Sequence, residues 1–200
     1  MMENNLFDQM AKKYDSEKQI QLAKVITSEI KSQLEDSKNK SLIDYGCGTG
    51  LIGLELVNDL KSITFVDQSS SMLKVVENKL KAKEIKHANL LQADFVIDQA
   101  EIKADYIILS LVLLHIPNTE AILKALYDIL NREGELIIVD FDKHDEIDHP
   151  KVHNGFTHQF MKDKLAEAGF TQTDIRTFHH GENLFMNKDA SIFIATSKKQ

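Results

Sequence analysis

The chain has 200 residues, 42% of them apolar and 28% charged, which is typical of a single globular domain and excludes a disordered or fibrous protein. Its net charge of −7 argues against nucleic acid as the main partner, because nucleic-acid binding draws its affinity from Lys and Arg on phosphates. Cys47 is the only cysteine, which excludes an intramolecular disulfide, and the lack of a secretory signal or a long apolar segment predicts a cytoplasmic protein without membrane contact.

In chain order, a capping-box pattern at Ser16 begins a helix that the apolar spacing extends to about Glu35. Strands are predicted at 41–45, 62–66, 87–93, 104–111, 135–141, 171–178 and 191–196. Helices are predicted between them at 51–60, from the Ser69 cap to Leu80, from Pro117 to Ile129, and at 157–168. The first five strands alternate with helices and the last two are adjacent in sequence. This pattern predicts an α/β fold with a doubly wound, seven-stranded, mostly parallel sheet.

A glycine-rich loop, Asp44-Tyr45-Gly46-Cys47-Gly48-Thr49-Gly50, lies between the first predicted strand and the next helix. Glycines at alternate positions let a backbone turn sharply and approach a ligand, and a helix that follows presents free N–H groups beside it. Asp67 ends the second predicted strand, where an acidic residue in a nucleotide-binding sheet accepts hydrogen bonds from ribose hydroxyls. Together they predict a nucleotide-containing ligand.

The residues alone leave two types of nucleotide-containing ligand open. Residues 48–53 match the G-x-G-x-x-G pattern of dinucleotide binding, which keeps an NAD(P)-dependent oxidoreductase as an alternative. The match begins three residues beyond the strand, however, and the Asp44 carboxylate would repel a pyrophosphate. A ligand with an ammonium group and no phosphate suits Asp44 better.

Six stretches are informative through their common order and spacing. They are Phe7-Asp8-x-x-Ala11-x-x-Tyr14-Asp15, Asp44-x-Gly46-x-Gly48-x-Gly50, Asp67-Gln68-Ser69-Ser70-Ser71-Met72-Leu73, Ala93-Asp94-Phe95, Asp105-Tyr106-Ile107-Ile108 with Leu114-His115-Ile116, and Leu130-x-x-x-Gly134-Glu135-Leu136. In these stretches, nearly the whole chain resembles the class I S-adenosylmethionine-dependent methyltransferases, in the type 11-like branch that acts on small molecules. One departure is Tyr45, where the family usually has an aliphatic residue, and we expect its effect to be on packing.

The resemblance implies an enzyme with S-adenosyl-L-methionine as its cofactor. Asp44 would serve the methionine amino group, directly or through water, and Asp67 the ribose hydroxyls. Asp94 would accept from the adenine amino group, with Phe95 beside the ring. The other implied cofactor-binding residues are Gly46, Gly48, Gly50, Gln68, Met72 and Leu111. For Met72, packing between helix and sheet is an equal alternative.

The resemblance also implies the strand order 3-2-1-4-5-7-6 with an antiparallel last strand. The whole of 1–200 would be one methyltransferase domain, with a helical lid or cap in 1–36, closing over the cofactor at about 6–13, and an α/β core in 37–200. A non-catalytic S-adenosylmethionine-binding protein remains a further alternative. The chain would act as a monomer or homodimer.

The predicted partner is a small-molecule methyl acceptor, and the candidate catalytic residues are His115, beyond the fourth strand, and Tyr14, in the lid. The loop 142–156 is long for its place in the fold, and long loops are often functional. With the lid it is predicted to contact the acceptor through residues such as His153 and Phe156. The histidine spacings of this region do not match a metal site, and none is predicted.

Overall fold

The computed structural model describes residues 15–98, 101–150 and 152–200. The strands in these residues are β1 (Ser41–Tyr45), β2 (Ser62–Asp67), β3 (Ala88–Gln92), β4 (Ala104–Ser110), β5 (Leu130–Phe141), β6 (Thr171–Phe185) and β7 (Lys188–Lys198). The helices are α1 (Glu17–Lys31), α2 (Gly53–Leu56), α3 (Ser70–Ala82), α4 (Thr119–Ile129) and α5 (His158–Ala168). The described strands form a seven-stranded sheet with the order β3-β2-β1-β4-β5-β7-β6, as predicted.

The chain divides into two compact units, a first unit at residues 1–100 and a second unit at 101–200. In the first unit, β1 pairs with β2 and β2 with β3, both in parallel. In the second unit, β4 pairs in parallel with β5, and β7 pairs antiparallel with both β5 and β6. The mostly parallel sheet and the antiparallel last strand are therefore confirmed.

The elements form where the apolar pattern and the capping residues place them. Ser16 and Gln19 form the predicted capping box, with the Ser16 side chain accepting from the Gln19 N–H. α1 then buries Ile26 and Ile30. In β5, every residue from Leu136 to Phe141 is buried, as expected for a strand covered on both faces of a parallel sheet.

Several predicted boundaries are wrong. The helix expected at 51–60 is only the one-turn α2, followed by a 3-10 turn at Val57–Asp59. The left-handed φ of Gly50, +77°, keeps that residue outside any helix, and the segment after α2 continues as the 3-10 turn instead of as α-helix. α1 ends at Lys31 instead of Glu35, and Pro117 precedes α4, whose cap is Asn118.

The last two strands are longer than predicted and meet in a tight turn. β6 extends to Phe185 and β7 begins at Lys188, so only Met186 and Asn187 connect them. Both connecting residues have positive φ, +51° and +62°, which matches the type I′ turn that joins twisted antiparallel strands. β5 also begins earlier than expected, at Leu130, with an irregular register before Tyr106 and Glu135 pair.

Residues 142–156 contain no helix or strand beyond an isolated bridge between Asp142 and Phe156, within the positions that the structure describes. This agrees with the predicted loop. The expected lid at 6–13 and Tyr14 lie outside the described residues. Among the described helices, none combines the length and apolarity that crossing a membrane requires.

Candidate active site

The glycine loop after β1 has the backbone that its sequence predicts. Gly46, Gly48 and Gly50 all have positive φ, at +68°, +53° and +77°, a conformation that L side chains rarely adopt. The N–H groups of Gly46 and Cys47 donate to the Val66 carbonyl at 2.8 and 3.0 Å, which fastens the loop to the end of β2. The short α2 supplies no extended row of helix N–H groups, so that part of the prediction is wrong.

Asp44 is a buried carboxylate at the base of this loop, with 3% of its surface exposed. Burial, and then the negative charge of Asp67, raise the pKa of Asp44 to about 7, against the lowering effect of the Gly53 N–H. Its Oδ2 has no hydrogen-bond partner among the described residues. A buried acceptor without a donor is costly, and an ammonium group supplies the missing donor and charge. The residue therefore fits the amino group that the resemblance assigns to it.

Asp67 is held rigidly at the end of β2. Its Oδ2 accepts from the Gly48 N–H and its Oδ1 from the Ser69 N–H, both at 2.8 Å. These two backbone bonds fix the orientation of the carboxylate, the group that the resemblance assigns to the ribose hydroxyls. Asp67 thus links the glycine loop of β1 to the cap of α3.

The third predicted cofactor stretch follows β3. Asp94 is half-buried, and its Oδ1 accepts from the Val96 N–H at 3.0 Å and from the Tyr45 hydroxyl at 3.4 Å. Phe95 is 5% exposed, and its ring lies 4.9 Å from the Tyr45 ring. Tyr45 therefore has polar contacts as well as packing contacts, so the expectation that it affects packing is incomplete.

The two remaining predicted residues of the first unit have contrasting positions. Met72 is 2% exposed in α3, and its N–H is capped by the Ser69 hydroxyl at 3.2 Å, so its environment matches the packing alternative. Gln68 is exposed, and its carbonyl accepts from the Gln92 side chain at 3.0 Å.

A polar clamp on the glycine loop was not predicted. Lys79 donates to the Thr49 carbonyl at 2.8 Å and to the Asp15 carboxylate at 2.7 Å, and the Thr49 hydroxyl also donates to Asp15. Thr49 itself is 1% exposed. The clamp joins the residue that precedes α1 to the loop through α3. The only signal for it in the sequence is the polar residue between two loop glycines.

In the second unit, Leu111 follows β4 with a φ of +55°, which is strained for a non-glycine residue. Its N–H donates to the Val139 carbonyl at 2.8 Å. His115 is exposed and ends the 3-10 turn Leu113–His115. Asp140 is fully buried and stabilises this turn, because its carboxylate accepts a hydrogen bond from the Leu114 N–H at 3.1 Å. Burial raises the pKa of Asp140 to about 7, although backbone N–H groups oppose the change.

The loop 142–156 is attached to the same turn. The His153 N–H donates to the Leu114 carbonyl at 2.8 Å, and its ring Nε2 lies 2.9 Å from the Ile116 carbonyl. Phe156 is 3% exposed and packs on the rings of His153 and Phe160, so it has a packing role and not the acceptor contact predicted for it. Of the two loop residues predicted to contact the acceptor, His153 therefore remains. It binds the carbonyl groups of Leu114 and Ile116, the two neighbours of His115 in the chain.

The neck of this loop is closed by backbone bonds. Lys143 donates to the Phe156 carbonyl at 3.0 Å, Phe156 to the Phe141 carbonyl at 2.9 Å, and His144 to the Asn154 carbonyl at 2.8 Å. Gly155 has a φ of +85°, and a Cβ there would lie 2.2 Å from the Asp142 carbonyl oxygen. Only glycine therefore lets the two ends of the loop approach so closely.

His158 lies at the start of α5, with its Nε2 2.9 Å from Asp142 and 3.3 Å from the Thr177 hydroxyl. Within residues 15–98, 101–150 and 152–200, no group of three or more His, Cys, Asp or Glu side chains is placed to hold a metal ion. Burial raises the pKa of the Cys47 thiol well above its ordinary value, as expected for a structural residue of the loop.

Residues 36–186 match the protein family described as a methyltransferase domain. The chain belongs to this family. The match covers most of the chain and includes the glycine loop, Asp67 and Asp94. The class I methyltransferase resemblance read from the six stretches is confirmed, with S-adenosylmethionine as the cofactor of that class.

Relatives of this methyltransferase agree with that assignment. An uncharacterized methyltransferase of Schizosaccharomyces pombe is 26% identical over 166 residues, which are 76% of this chain and 53% of that protein. The chain thus spans about half the length of this curated relative.

Solved structures show the same fold. A SAM-dependent methyltransferase of Thermotoga maritima, described as a possible histamine N-methyltransferase, has a TM-score of 0.73 at 14% identity and covers 98% of this chain and 99% of its own. Phosphoethanolamine N-methyltransferase 2 of Haemonchus contortus, in complex with S-adenosyl-L-methionine, has a TM-score of 0.73 at 12% identity, covering 87% of this chain and 52% of that one.

Proposed function

We propose that this domain transfers the methyl group of S-adenosylmethionine to a small-molecule acceptor by in-line displacement. The cofactor-binding residues would be Asp44, Gly46, Gly48, Gly50, Asp67, Gln68, Met72, Asp94, Phe95 and Leu111. The catalytic candidates would be His115 and Tyr14.

The buried Asp44 carboxylate is the observation that carries this proposal. Its Oδ2 has no donor among the described residues, and the amino group of S-adenosylmethionine would supply one. The alternative, a dinucleotide, would place a pyrophosphate beside a carboxylate whose charge is already disfavoured by burial and then by Asp67. In addition, the Gly48 N–H, which a phosphate would use, donates to Asp67. These contacts favour S-adenosylmethionine over NAD or NADP.

The residues of the chain would hold the cofactor and orient it toward the acceptor, and methyl transfer needs little more from them. S-adenosylmethionine supplies a methyl group already activated on a sulfonium. Asp44 would bind the amino group, Asp67 the ribose hydroxyls, and Asp94 the adenine edge. Alignment of this kind lowers a barrier by about 7–11 kcal/mol in favourable cases.

The candidate residues for the acceptor side are His115, Asp140 and His153. If the acceptor is a hydroxyl or a protonated amine, a base must remove its proton, and His115 is exposed at the end of its turn for that task. Asp140 and His153 would act as positioning residues, because both bind the backbone of the turn that ends in His115.

The test begins with ligand-induced shifts in thermal unfolding. We expect S-adenosylhomocysteine to raise the melting temperature, and NAD and NADP to have no effect. A shift with NAD alone would overturn the proposal. Turnover then separates an enzyme from a non-catalytic binding protein. S-adenosylmethionine labelled in its methyl group is incubated with two fractions of a cell extract, small molecules and total RNA, and the labelled product is identified by mass spectrometry.

The acceptor side is tested in the same assay with His153→Ala and His115→Ala. Both should leave S-adenosylhomocysteine affinity nearly unchanged and lower turnover with the acceptor. His149→Ala, in the same loop, is the matched control. Label in the RNA fraction only would contradict a small-molecule acceptor, and unchanged turnover in both variants would contradict the roles of His115 and His153.

A further inference from the structure

We infer that Tyr45 is a positioning residue that sets the selectivity of this domain for the adenine ring, by orienting Asp94 and Phe95 through its hydroxyl. The inference rests on the proposed function, because it assumes that the ligand is S-adenosylmethionine. It assigns a role to the residue at which this chain departs from the aliphatic residue usual in the resembled family.

The hydroxyl of Tyr45 lies between two groups of the turn that follows β3. It donates to Asp94 Oδ1 at 3.4 Å and accepts from the Phe95 N–H at 3.3 Å. The Tyr45 side chain is 4% exposed, and its ring is tilted by 34° against that of Phe95. A buried hydroxyl is normally hydrogen-bonded, and here both of its bonds go to the stretch that would read the adenine. Burial and the charge of Asp94 raise the pKa of Tyr45, so its proton is retained.

These contacts determine which oxygen of Asp94 is presented. Oδ1 accepts from both the Tyr45 hydroxyl and the Val96 N–H. The Asp94 N–H donates to Asp98, and the Asp94 carbonyl accepts from the Asp98 N–H, so the turn is closed on itself. The described residues provide no hydrogen bond to Oδ2. This oxygen is therefore the one positioned to accept from the amino group of an adenine, and it would repel the carbonyl oxygen of a 6-oxopurine.

An aliphatic side chain at position 45 would be smaller than the Tyr45 ring and could make neither of these bonds. The two distances exceed the 2.7–3.0 Å typical of strong hydrogen bonds, so their main effect is on orientation, with little on stability. If Tyr45 only packed against Phe95, Tyr45→Phe, which keeps the ring, would leave the ratio of cofactor affinities unchanged.

The experiment compares Tyr45→Phe with the unaltered protein by calorimetry, using S-adenosylhomocysteine and S-inosylhomocysteine as probes. The second probe differs by a carbonyl oxygen in place of the adenine amino group. We expect Tyr45→Phe to weaken S-adenosylhomocysteine binding about fivefold, equivalent to about 1 kcal/mol, and to lower the ratio of the two affinities by a similar factor. Tyr127→Phe, which removes a hydroxyl in α4, is the matched control and should leave the ratio unchanged.

A double-mutant cycle with Asp94→Asn provides the second measurement. The effects of Tyr45→Phe and Asp94→Asn on the affinity ratio should be non-additive, because the hydroxyl acts through the carboxylate. An unchanged ratio in Tyr45→Phe, or additive effects in the cycle, would overturn the role of Tyr45 while the proposed function stands. Failure of the unaltered protein to bind S-adenosylhomocysteine would overturn the proposed function and this inference with it.

Discussion

Binding of S-adenosylhomocysteine should become weaker as the pH falls from 8 to 6, because Asp44 must lose a proton to receive the ligand's amino group. In the ligand-free protein the pKa of Asp44 is raised to about 7, chiefly by burial. A nearby cation lowers the pKa of a carboxylate, so the bound form is ionised. Proton loss from Asp44 and ligand binding are therefore linked.

The magnitude follows from that pKa. A group with a pKa of about 7 is roughly nine-tenths protonated at pH 6 and roughly one-tenth at pH 8. Affinity that requires the ionised form is then about tenfold weaker at pH 6, a difference of about 1.4 kcal/mol. Binding at pH 6 should also release about 0.9 proton per ligand.

Calorimetry in buffers of different ionisation enthalpy measures both quantities, since the released proton is taken up by the buffer. Asp44→Asn is the control, because the amide cannot titrate. The variant should bind the ligand more weakly at every pH. It should also lack the tenfold loss of affinity between pH 8 and 6, and it should release no proton at pH 6. If the unaltered protein released no proton at pH 6, or if Asp44→Asn released as much, the assignment of Asp44 to the amino group would be wrong.

Three further outcomes are expected. Asp67→Ala should weaken S-adenosylhomocysteine at least tenfold, from the loss of hydrogen bonds worth about 1.5–3 kcal/mol each to a charged group, and an unchanged dissociation constant would refute the ribose assignment. Gly53→Ala should lower the free energy of unfolding by about 1–3 kcal/mol, because the new Cβ would lie 2.5 Å from Asp44 Oδ2 and from a Phe65 ring carbon. The control is Gly181→Ala, whose Cβ would meet only side chains at 3.2 Å or more, and equal losses in the two variants would contradict the explanation. Between pH 4 and 7 the raised pKa of Asp140 makes the folded state hold a proton that the unfolded state has lost, so the free energy of unfolding falls as the pH rises. Asp140→Asn should make this slope smaller by about 1.4 kcal/mol per pH unit in urea titrations. A slope equal to that of the unaltered protein would disprove the effect.

The sequence predicts best what depends on neighbouring residues. The long apolar runs of β4 and β5 indicate strands covered on both faces, and the structure buries them so. Glycines at 46, 48 and 50 predict a loop with left-handed conformations, and all three have positive φ. Such features need only local information, because the backbone preference or the apolar period is complete within a few residues.

Contacts between distant residues were not predictable in the same way. The Tyr45 hydroxyl meets Asp94, 49 positions later, and the Asp140 carboxylate holds the N–H of Leu114, 26 positions earlier. In the sequence, Asp140 is simply a polar residue near the end of an apolar strand. The length of α2 was overestimated for a related reason. Its apolar residues fit a helix, but the segment tightens into a 3-10 turn at Val57–Asp59, which the apolar pattern does not distinguish from α-helix.

The closed neck of the loop 142–156 makes this segment exchangeable. Its ends are joined by backbone bonds at Lys143, His144 and Phe156, and Gly155 lets them touch. Between these ends, Ile147 is buried and His153 binds the turn that ends in His115. Closing a longer loop costs little, about 0.6 kcal/mol for each doubling of its length. A graft that keeps Asp142, Ile147, His153, Gly155 and Phe156 should therefore fold with different residues at the other positions. If the loop contacts the acceptor as proposed, the chain could change its acceptor preference there without altering Asp44, Asp67 or Asp94.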